Sequence, residues 1–372
     1  MEPVKSPGEQ VHVVVLAGGA GTRFWPASRA ARPKQVLPLC GPEPMITATV
    51  RRILPLVGTL DRVWIATGAA LAEVTREAIA GVRADRLLLE PAPRNTAPCI
   101  AWAAATVARI DPQAVVVVLP SDHHIADETA FLAVLERAVA SARRGVITTI
   151  GIRPTRPETG FGYILVGEEE GPSLPGVHRG VRFVEKPDLK TAEAMLQGGA
   201  HVWNAGMFVF RACDMKSAIA QHAPVIAEAL DAFDRAAAAG DESPELERRF
   251  GTLPSVSIDV GVMEKLERFA VVPGEFGWSD VGSWQAAWEL ADRTEDGNHG
   301  PGHASFVGAR GNHVVDLRSD ATRVSRAIAI VGVDDLVVVE TDDALLVVPR
   351  TRAQDVRLAV EALRVAKKID LI

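Results

Sequence analysis

The sequence predicts an α/β fold: a doubly wound, mostly parallel sheet followed by a small β-rich C-terminal domain. Three observations predict it. Short apolar, β-branched runs alternate with longer helix-like stretches over residues 11–150. Those runs are apolar almost throughout, as strands covered by helices on both faces must be. A polar, glycine-rich segment, "ADRTEDGNHGPGHAS" (291–305), then sets a second series of short strands apart.

The elements follow in chain order. Strands are expected at "VHVVVLA" (11–17), "DRVWIAT" (61–67), "RLLLE" (86–90), "AVVVVLP" (114–120) and "GVITTIG" (145–151). Helices are expected between them, at 44–54, 70–80, 95–110 and 128–143. Asn95 opens the third of these helices, and Asn is a good N-cap. From 151 to 290 the alternation loosens. "TGFGYILV", "GVRFVEKP" and "WNAGMFVFRA" read as strands bordering a cleft, with alanine-rich helical stretches such as 223–240 among them. Residues 1–290 thus read as one large domain with halves at about 11–150 and 151–290, and 291–305 as a linker. Residues 306–372 hold "HVVDL", "AIAIVGV", "DLVVVET" and "ALLVVP", then a helix over 352–367.

Bulk properties exclude several functions. The 372 residues are 48% hydrophobic and 23% charged, so disorder is not indicated. A formal net charge of −7 argues against a general nucleic-acid binder, which carries a basic face. The three cysteines, Cys40, Cys99 and Cys213, are odd in number and form no C-x-x-C pair, so neither zinc nor a disulfide framework is indicated. No apolar run is long enough to span a bilayer, and "MEPVKSPGEQ" lacks a leader's character. A soluble, cytoplasmic protein with no membrane partner is expected.

In a doubly wound sheet, ligands bind outside the carboxyl ends of the strands. Two segments belong there: "SDHH" (121–124) and "LAGGAGTRFWPASRAARPKQVLPL" (16–39). The second gathers Arg23, Arg29, Arg32 and Lys34, and no acidic residue stands between Gln10 and Glu43. Gly18, Gly19 and Gly21 permit positive φ and close backbone approach, and N–H groups in such a turn cradle phosphate oxygens. The dinucleotide pattern G-x-G-x-x-G fails at Phe24, and no G-K-[ST] follows at P-loop spacing. A tight turn with solvated arginines would explain the glycines alone. Glycines, Arg23 and Lys34 together at a strand's carboxyl end favour a polyphosphate site. Arg29 and Arg32 fit a solvated loop face as well as function.

The segment 16–39 resembles the signature of sugar-1-phosphate nucleotidylyltransferases, G-G-x-G-T-R followed by P-K. "EPAPRNTAPCIA", "VVLPSDHHI", "ETGFGYI", "FVEKP", "WNAGMFVF", "SIDVGVMEK" and "GWSDVGSW" follow in that family's order. Together they resemble its mannose-1-phosphate guanylyltransferase branch over most of residues 11–290. "VGVDDLVVVETDDALLVV" is similar to that branch's small β domain. Longer relatives add an isomerase domain beyond this point; the chain stops at Ile372, so the transferase alone is expected. The resemblance implies a Rossmann-like nucleotide-diphospho-sugar transferase fold, with 11–150 binding nucleotide and 151–290 binding sugar. The implied substrates are GTP and mannose 1-phosphate, the products GDP-mannose and pyrophosphate, with Mg²⁺ as cofactor. Local cations in an acidic protein then match anionic substrates.

The resemblance also assigns residues. Leu16, Ala17, Gly18, Gly19, Gly21, Thr22, Arg23, Asn95 and Asp122 bind nucleotide, with Arg94 a weaker candidate. Arg23 and Lys34 stabilise the α-phosphate and leaving group. Asp122 and Asp280 hold Mg²⁺, an ion served by one or two carboxylates plus phosphates and water; helix capping is the simpler role for Asp122. Glu185, Lys186, Gly160, Asn204 and Asp259 meet the sugar phosphate; a surface ion pair would also explain the first two, and a helix cap Asp259. His123 and His124 lack companion soft ligands and read as loop residues. Trp203 and Trp278 read as core or pocket wall. Another hexose or heptose 1-phosphate, another nucleotide, or a non-catalytic regulatory paralogue stays open, as does a homodimer. Arg23, Lys34, Asp122 and Asp280 together favour the enzyme.

Overall fold

The structure, a computed structural model, describes residues 10–19, 21–319 and 327–372. In chain order the sheet and its helices are β1 (Val11–Leu16), α1 (Met45–Val57), β2 (Val63–Gly68), α2 (Ala72–Ala78), β3 (Leu87–Glu90), α3 (Thr96–Ala108) and β4 (Val115–Pro120). Then come β5 (His124–Ile125), α4 (Glu128–Ala142), β6 (Thr148–Ile152), β7 (Tyr163–Glu169), β8 (His178–Val184), α5 (Leu189–Gly198) and β9 (His201–Arg211). Helices α6 (Ala212–His222), α7 (Pro224–Ala238), α8 (Glu242–Arg249) and α9 (Ile258–Gly261) lead to β10 (Phe269–Gly274) and β11 (Trp278–Ser279). The remainder is α10 (Trp284–Leu290), β12 (Ala304–Val307), β13 (His313–Asp316), β14 (Ile328–Val331), β15 (Leu336–Glu340), β16 (Leu345–Pro349) and α11 (Val356–Val365).

These elements fall into two compact units that do not follow chain order. One takes Met1–Gly18, Thr49–Ser121 and Ile125–Trp278; the other takes Gly19–Ala48, Asp122–His124 and Ser279–Ile372. The first unit carries a nine-stranded sheet in the order β3-β2-β1-β4-β9-β6-β10-β8-β7. Strands β3, β2, β1 and β4 are parallel, with Leu16 level with Ala66 and with Pro120. β9 then enters antiparallel to both β4 and β6, so the sheet is mixed beyond β4. Local sequence could not foresee this, because strand direction depends on the route of the connecting chain. β1 runs to β2 on one side and lies beside β4 on the other. That reversal of strand order is where α/β sheets open a crevice at their carboxyl ends, and residues 18 and 121 stand there.

Packing explains the apolar runs. Val13, Val14 and Val15 of β1 and Val115–Val118 of β4 are fully buried. Helix α3, "TAPCIAWAAATVA", is buried almost all round; its alanines let neighbouring elements approach closely. Gly180 of β8 lies level with Phe269 of β10, and a Cβ built there would overlap the Phe269 ring.

The second unit has its own core. Phe24, Trp25, Leu37 and Met45 pack with Trp284, Val337, Val339, Val356 and Val360. Trp25 Nε1 donates to the Leu371 carbonyl at 2.6 Å, and Trp284 Nε1 to the Trp25 carbonyl at 3.2 Å. β12 pairs with β14, and β15 pairs with β13 and β16. The first of these strands begins at Ala304, inside the stretch expected to be linker. No helix among the described residues is long and apolar enough to cross a membrane.

Gly180→Ala tests the packing. Phe269 is buried and cannot swing away, so the added methyl should cost about 1–3 kcal/mol, the usual penalty of overpacking. A lowered urea midpoint is expected; an unchanged midpoint would show that the strand pair yields.

Candidate active site

In the second unit, the segment after β1 is organised by one glycine and one lysine. Gly21 has φ 56°, in the left-handed region, and a Cβ there would lie 2.6 Å from Lys34 Cβ. Only glycine fits that turn without moving the lysine. Gly21 leads into a 3₁₀ turn, Thr22–Phe24, in which Thr22 and Arg23 are exposed while Phe24 is buried. Phe24 packs edge-to-face on Trp284, with ring centroids 5.0 Å apart.

Lys34 is 6% exposed. Its Nζ donates to Asp122 Oδ2 at 2.8 Å, to the Asp122 carbonyl at 3.1 Å and to the Asp280 carbonyl at 2.8 Å. An ammonium has three hydrogens, and these contacts use all of them. It also sits 5.5 Å from the centre of the Phe24 ring. Arg23 differs: it is exposed, and its Nη1 reaches Gln354 Oε1 at 3.4 Å. Lys34 is therefore a tie between two aspartates, whereas the Arg23 guanidinium is open to an incoming anion. Arg29 pairs with Asp343 at 2.8 Å, and Arg32 is exposed, its backbone bridged to Arg29.

Burial of Asp122 opposes its charge, but the Lys34 ammonium and then His123 outweigh it and hold its carboxyl below the usual range. Asp280 Oδ2 occupies the space a Cβ of residue 282 would need; the separation would be 2.7 Å. Gly282 is thus a cradle for that carboxylate. Val281, between them, is fully buried yet has φ 46°, a strained conformation for a β-branched residue. Two carboxylates fit a hard divalent cation completed by phosphate and water. Among the described residues no set of three or more His, Cys, Asp or Glu is placed to hold a metal.

The first unit carries the remaining candidates. The Leu16 carbonyl accepts from Ser121 N at 3.1 Å; Ala17 N donates to the Ala66 carbonyl at 2.7 Å, and the Ala17 carbonyl accepts from Thr67 Oγ1 at 3.0 Å. These groups hold the end of β1, and the exposed Gly18 and Gly19 follow. Asn95 Oδ1 accepts from Thr96 N at 2.8 Å and caps α3, as the sequence suggests, with φ 64°. Thr96 Oγ1 in turn accepts from Ile258 N at 2.9 Å, joining the starts of α3 and α9.

Asn204, on β9 and buried, accepts from Thr149 Oγ1 at 2.9 Å and donates to Asp259 Oδ1 at 2.8 Å. Burial, and then the charge of Glu185, pushes the Asp259 carboxyl up to about 6. Glu185 pairs with Lys186 at 2.9 Å, and Lys186 has φ 47°. Glu185, Lys186, Asn204 and Asp259 are thus brought together. Gly160 is placed otherwise: its N–H donates to Glu158 Oε1 at 3.0 Å. Gly162 is the glycine at the cluster. A Cβ there would lie 2.7 Å from Glu185 Oε2, and its carbonyl accepts from Asn204 N at 2.8 Å. "GFGYI" contains both glycines, and only the strand pairing distinguishes them. Trp203 is core, edge-to-face with Phe161 at 5.2 Å, and Phe161 meets Trp278 at 5.5 Å.

Glu90 escaped the sequence reading. It ends β3, its Oε2 lies 3.9 Å from the Cβ position of Gly18, and its Oε1 is buried without a partner. A carboxylate closing an apolar strand, "RLLLE", was the available signal.

The raised Asp259 pKa has a sign. The folded carboxyl holds its proton up to about pH 6, whereas the unfolded one releases it near pH 4. The fold therefore loses stability as pH rises from about 4 to 6, by on the order of 2–3 kcal/mol. Asp259→Asn removes this loss. Urea unfolding should show the variant gaining on the wild type between pH 4 and 6, with a constant gap above; parallel curves would mean an unperturbed Asp259.

The family model described as "Nucleotidyl transferase" matches residues 12–297, and that described as "MannoseP isomerase/GMP-like beta-helix domain" matches 314–363. The chain is 40% identical over 357 residues to xanthan biosynthesis protein XanB of Xanthomonas campestris, covering 95% of this chain and 73% of that one. It is 38% identical over 370 residues to a mannose-1-phosphate guanylyltransferase of Escherichia coli, covering 95% and 74%. A solved structure from Thermus thermophilus, titled "mannose-1-phosphate geranyltransferase", superposes with a TM-score of 0.83 at 36% identity, covering 95% of this chain and 99% of that one.

Proposed function

The chain belongs to the nucleotidyl transferase family, and from that premise we propose that it transfers GMP from GTP to mannose 1-phosphate, giving GDP-mannose and pyrophosphate. The observation that carries the chemistry is the Lys34–Asp122–Asp280 cluster beside an exposed Arg23. The choice of nucleotide and sugar rests on relatives such as the Escherichia coli enzyme. In this reading residues 1–290 are the catalytic domain, 291–305 a connection and 306–372 a supporting β-rich domain. The reducing cytoplasm suits its three free thiols, and neither nucleic acid nor membrane is required.

The nucleophile is an oxygen of the sugar phosphate, already an anion, so no strong general base is needed. It attacks the α-phosphorus in line and pyrophosphate leaves. The protein's task is to align two mutually repelling anions and stabilise the charge that moves to the leaving group. Arg23, exposed and cationic, meets the departing phosphates. Backbone N–H groups of Gly18, Gly19 and Gly21 approach the triphosphate. Glu185, Asn204 and Asp259 orient sugar hydroxyls, and Lys186 meets the sugar's phosphate. Asp122 and Asp280 would hold a divalent cation, taken to be Mg²⁺, whose charge would neutralise phosphate oxygens. Lys34 keeps those two residues in register.

A substrate matrix tests this reading: four nucleoside triphosphates against several sugar 1-phosphates, with pyrophosphate release as the readout. GTP with mannose 1-phosphate should give the highest kcat/KM. A higher value with UTP or dTTP would overturn the guanylyl assignment; a higher value with another hexose or heptose 1-phosphate would overturn the sugar.

A further inference from the structure

We infer that Glu264 is a positioning residue for recognition of the sugar phosphate: its carboxylate holds the backbone of Glu185 and, through it, the Glu185–Lys186 pair. The inference rests on the proposed function, which gives that pair to the sugar and its phosphate.

Strand register brings the two residues together. β10 and β8 are antiparallel, with Phe269 level with Gly180 and Ala270 with Arg179. Carried on past those pairs, the same register sets Glu264 level with Glu185. The ladder has ended by then. β8 stops at Val184, and Glu264 lies in a 3₁₀ turn, Met263–Lys265, ahead of β10. The Glu185 N–H therefore meets a side chain in place of a strand carbonyl, and donates to Glu264 Oε1 at 2.8 Å.

The acceptor stands on a fixed base. Glu264 is itself exposed, but Ile258, Val262 and Met263 of the same segment are fully buried. Asp259 belongs to this segment too, and its Oδ1 accepts from Asn204 at 2.8 Å. One short stretch, 258–264, thus meets Asn204 with one carboxylate and Glu185 with another.

The turn it holds is a constrained one. Lys186 has φ 47°, a left-handed conformation that a lysine keeps only where its surroundings compel it. The Glu185 carboxylate lies over Gly162, where a Cβ would be 2.7 Å from Oε2, and pairs with Lys186 Nζ at 2.9 Å. The backbone at Glu185 therefore sets where both side chains point. Charge argues the same way. A further carboxylate beside a site for an anionic sugar phosphate opposes binding by Coulomb repulsion. Its contribution is the bond to the N–H, and such a charge-assisted bond is roughly twice as strong as a neutral one.

The test measures kcat, KM for mannose 1-phosphate and KM for GTP in wild type, Glu264→Ala, Glu264→Gln, Glu185→Gln and the Glu264→Ala/Glu185→Gln double variant, with urea midpoints alongside. Glu264→Ala should raise KM for mannose 1-phosphate on the order of 10-fold. KM for GTP should stay at the wild-type value, and so should the urea midpoint, as for most exposed substitutions. Glu264→Gln keeps an oxygen acceptor and should recover most of the loss. Because Glu264 acts through Glu185, the double variant should use mannose 1-phosphate little worse than Glu185→Gln alone. An unchanged KM for mannose 1-phosphate in Glu264→Ala would overturn the inference. So would fully additive losses in the double variant, or a Glu264→Gln enzyme as poor as Glu264→Ala. A lowered urea midpoint with both KM values raised would mark a merely structural residue. A wild type that preferred another sugar 1-phosphate would instead defeat the sugar assignment, and the same comparison then runs on that substrate.

Discussion

A buried ammonium holds the catalytic segment together. Lys34 is almost fully removed from water, and an ion in that position costs several kcal/mol unless its hydrogens find acceptors. It finds three, all on Asp122 and Asp280, residues 88 and 246 positions away in the chain. No local preference could join points so far apart. The tie fixes the two carboxylate-bearing residues, and Gly21 and Gly282 make room for it: a Cβ at either position would crowd Lys34 or Asp280.

From this constraint follows a division of labour among the cations. The buried lysine is committed to Asp122 and Asp280, whereas Arg23 is exposed and, in the proposed reaction, is the cation that meets phosphate. A net charge of −7 is then no obstacle, because the cations that matter are few and local. Backbone strain marks the same motifs. Asn95, Lys186 and Val281 are three of five non-glycine residues with positive φ among those described, and each lies at or beside a candidate site residue. Strain of this kind persists only where the surrounding packing compels it.

Much of this was legible beforehand because the signals were local. Apolar β-branched runs gave the strands of the main sheet, and Asn95 announced the cap of α3. The family resemblance named Lys34, Asp122 and Asp280, and Glu185, Lys186, Asn204 and Asp259, and the fold brings each of these two sets together. What escaped depends on contacts distant in sequence. The antiparallel entry of β9 follows from the path of the chain. Gly162 rather than Gly160 faces Glu185 because of the β7–β8 pairing. Trp25 finds its partner in the Leu371 carbonyl, 346 residues on. Glu90 looked like the end of a strand until its neighbour Gly18 and its unpaired oxygen were seen.

The central claim is that Lys34 acts through the two aspartates and not directly on phosphate. The most direct measurement is kcat against free Mg²⁺ for wild type, Lys34→Met, Asp122→Asn and Asp280→Asn. If Lys34 positions the carboxylates, all three variants should turn over slowly and require much more Mg²⁺, with Lys34→Met following the aspartate variants. A Lys34→Met enzyme with reduced kcat but the wild-type Mg²⁺ dependence would contradict the account, since its loss would then lie in the leaving group alone.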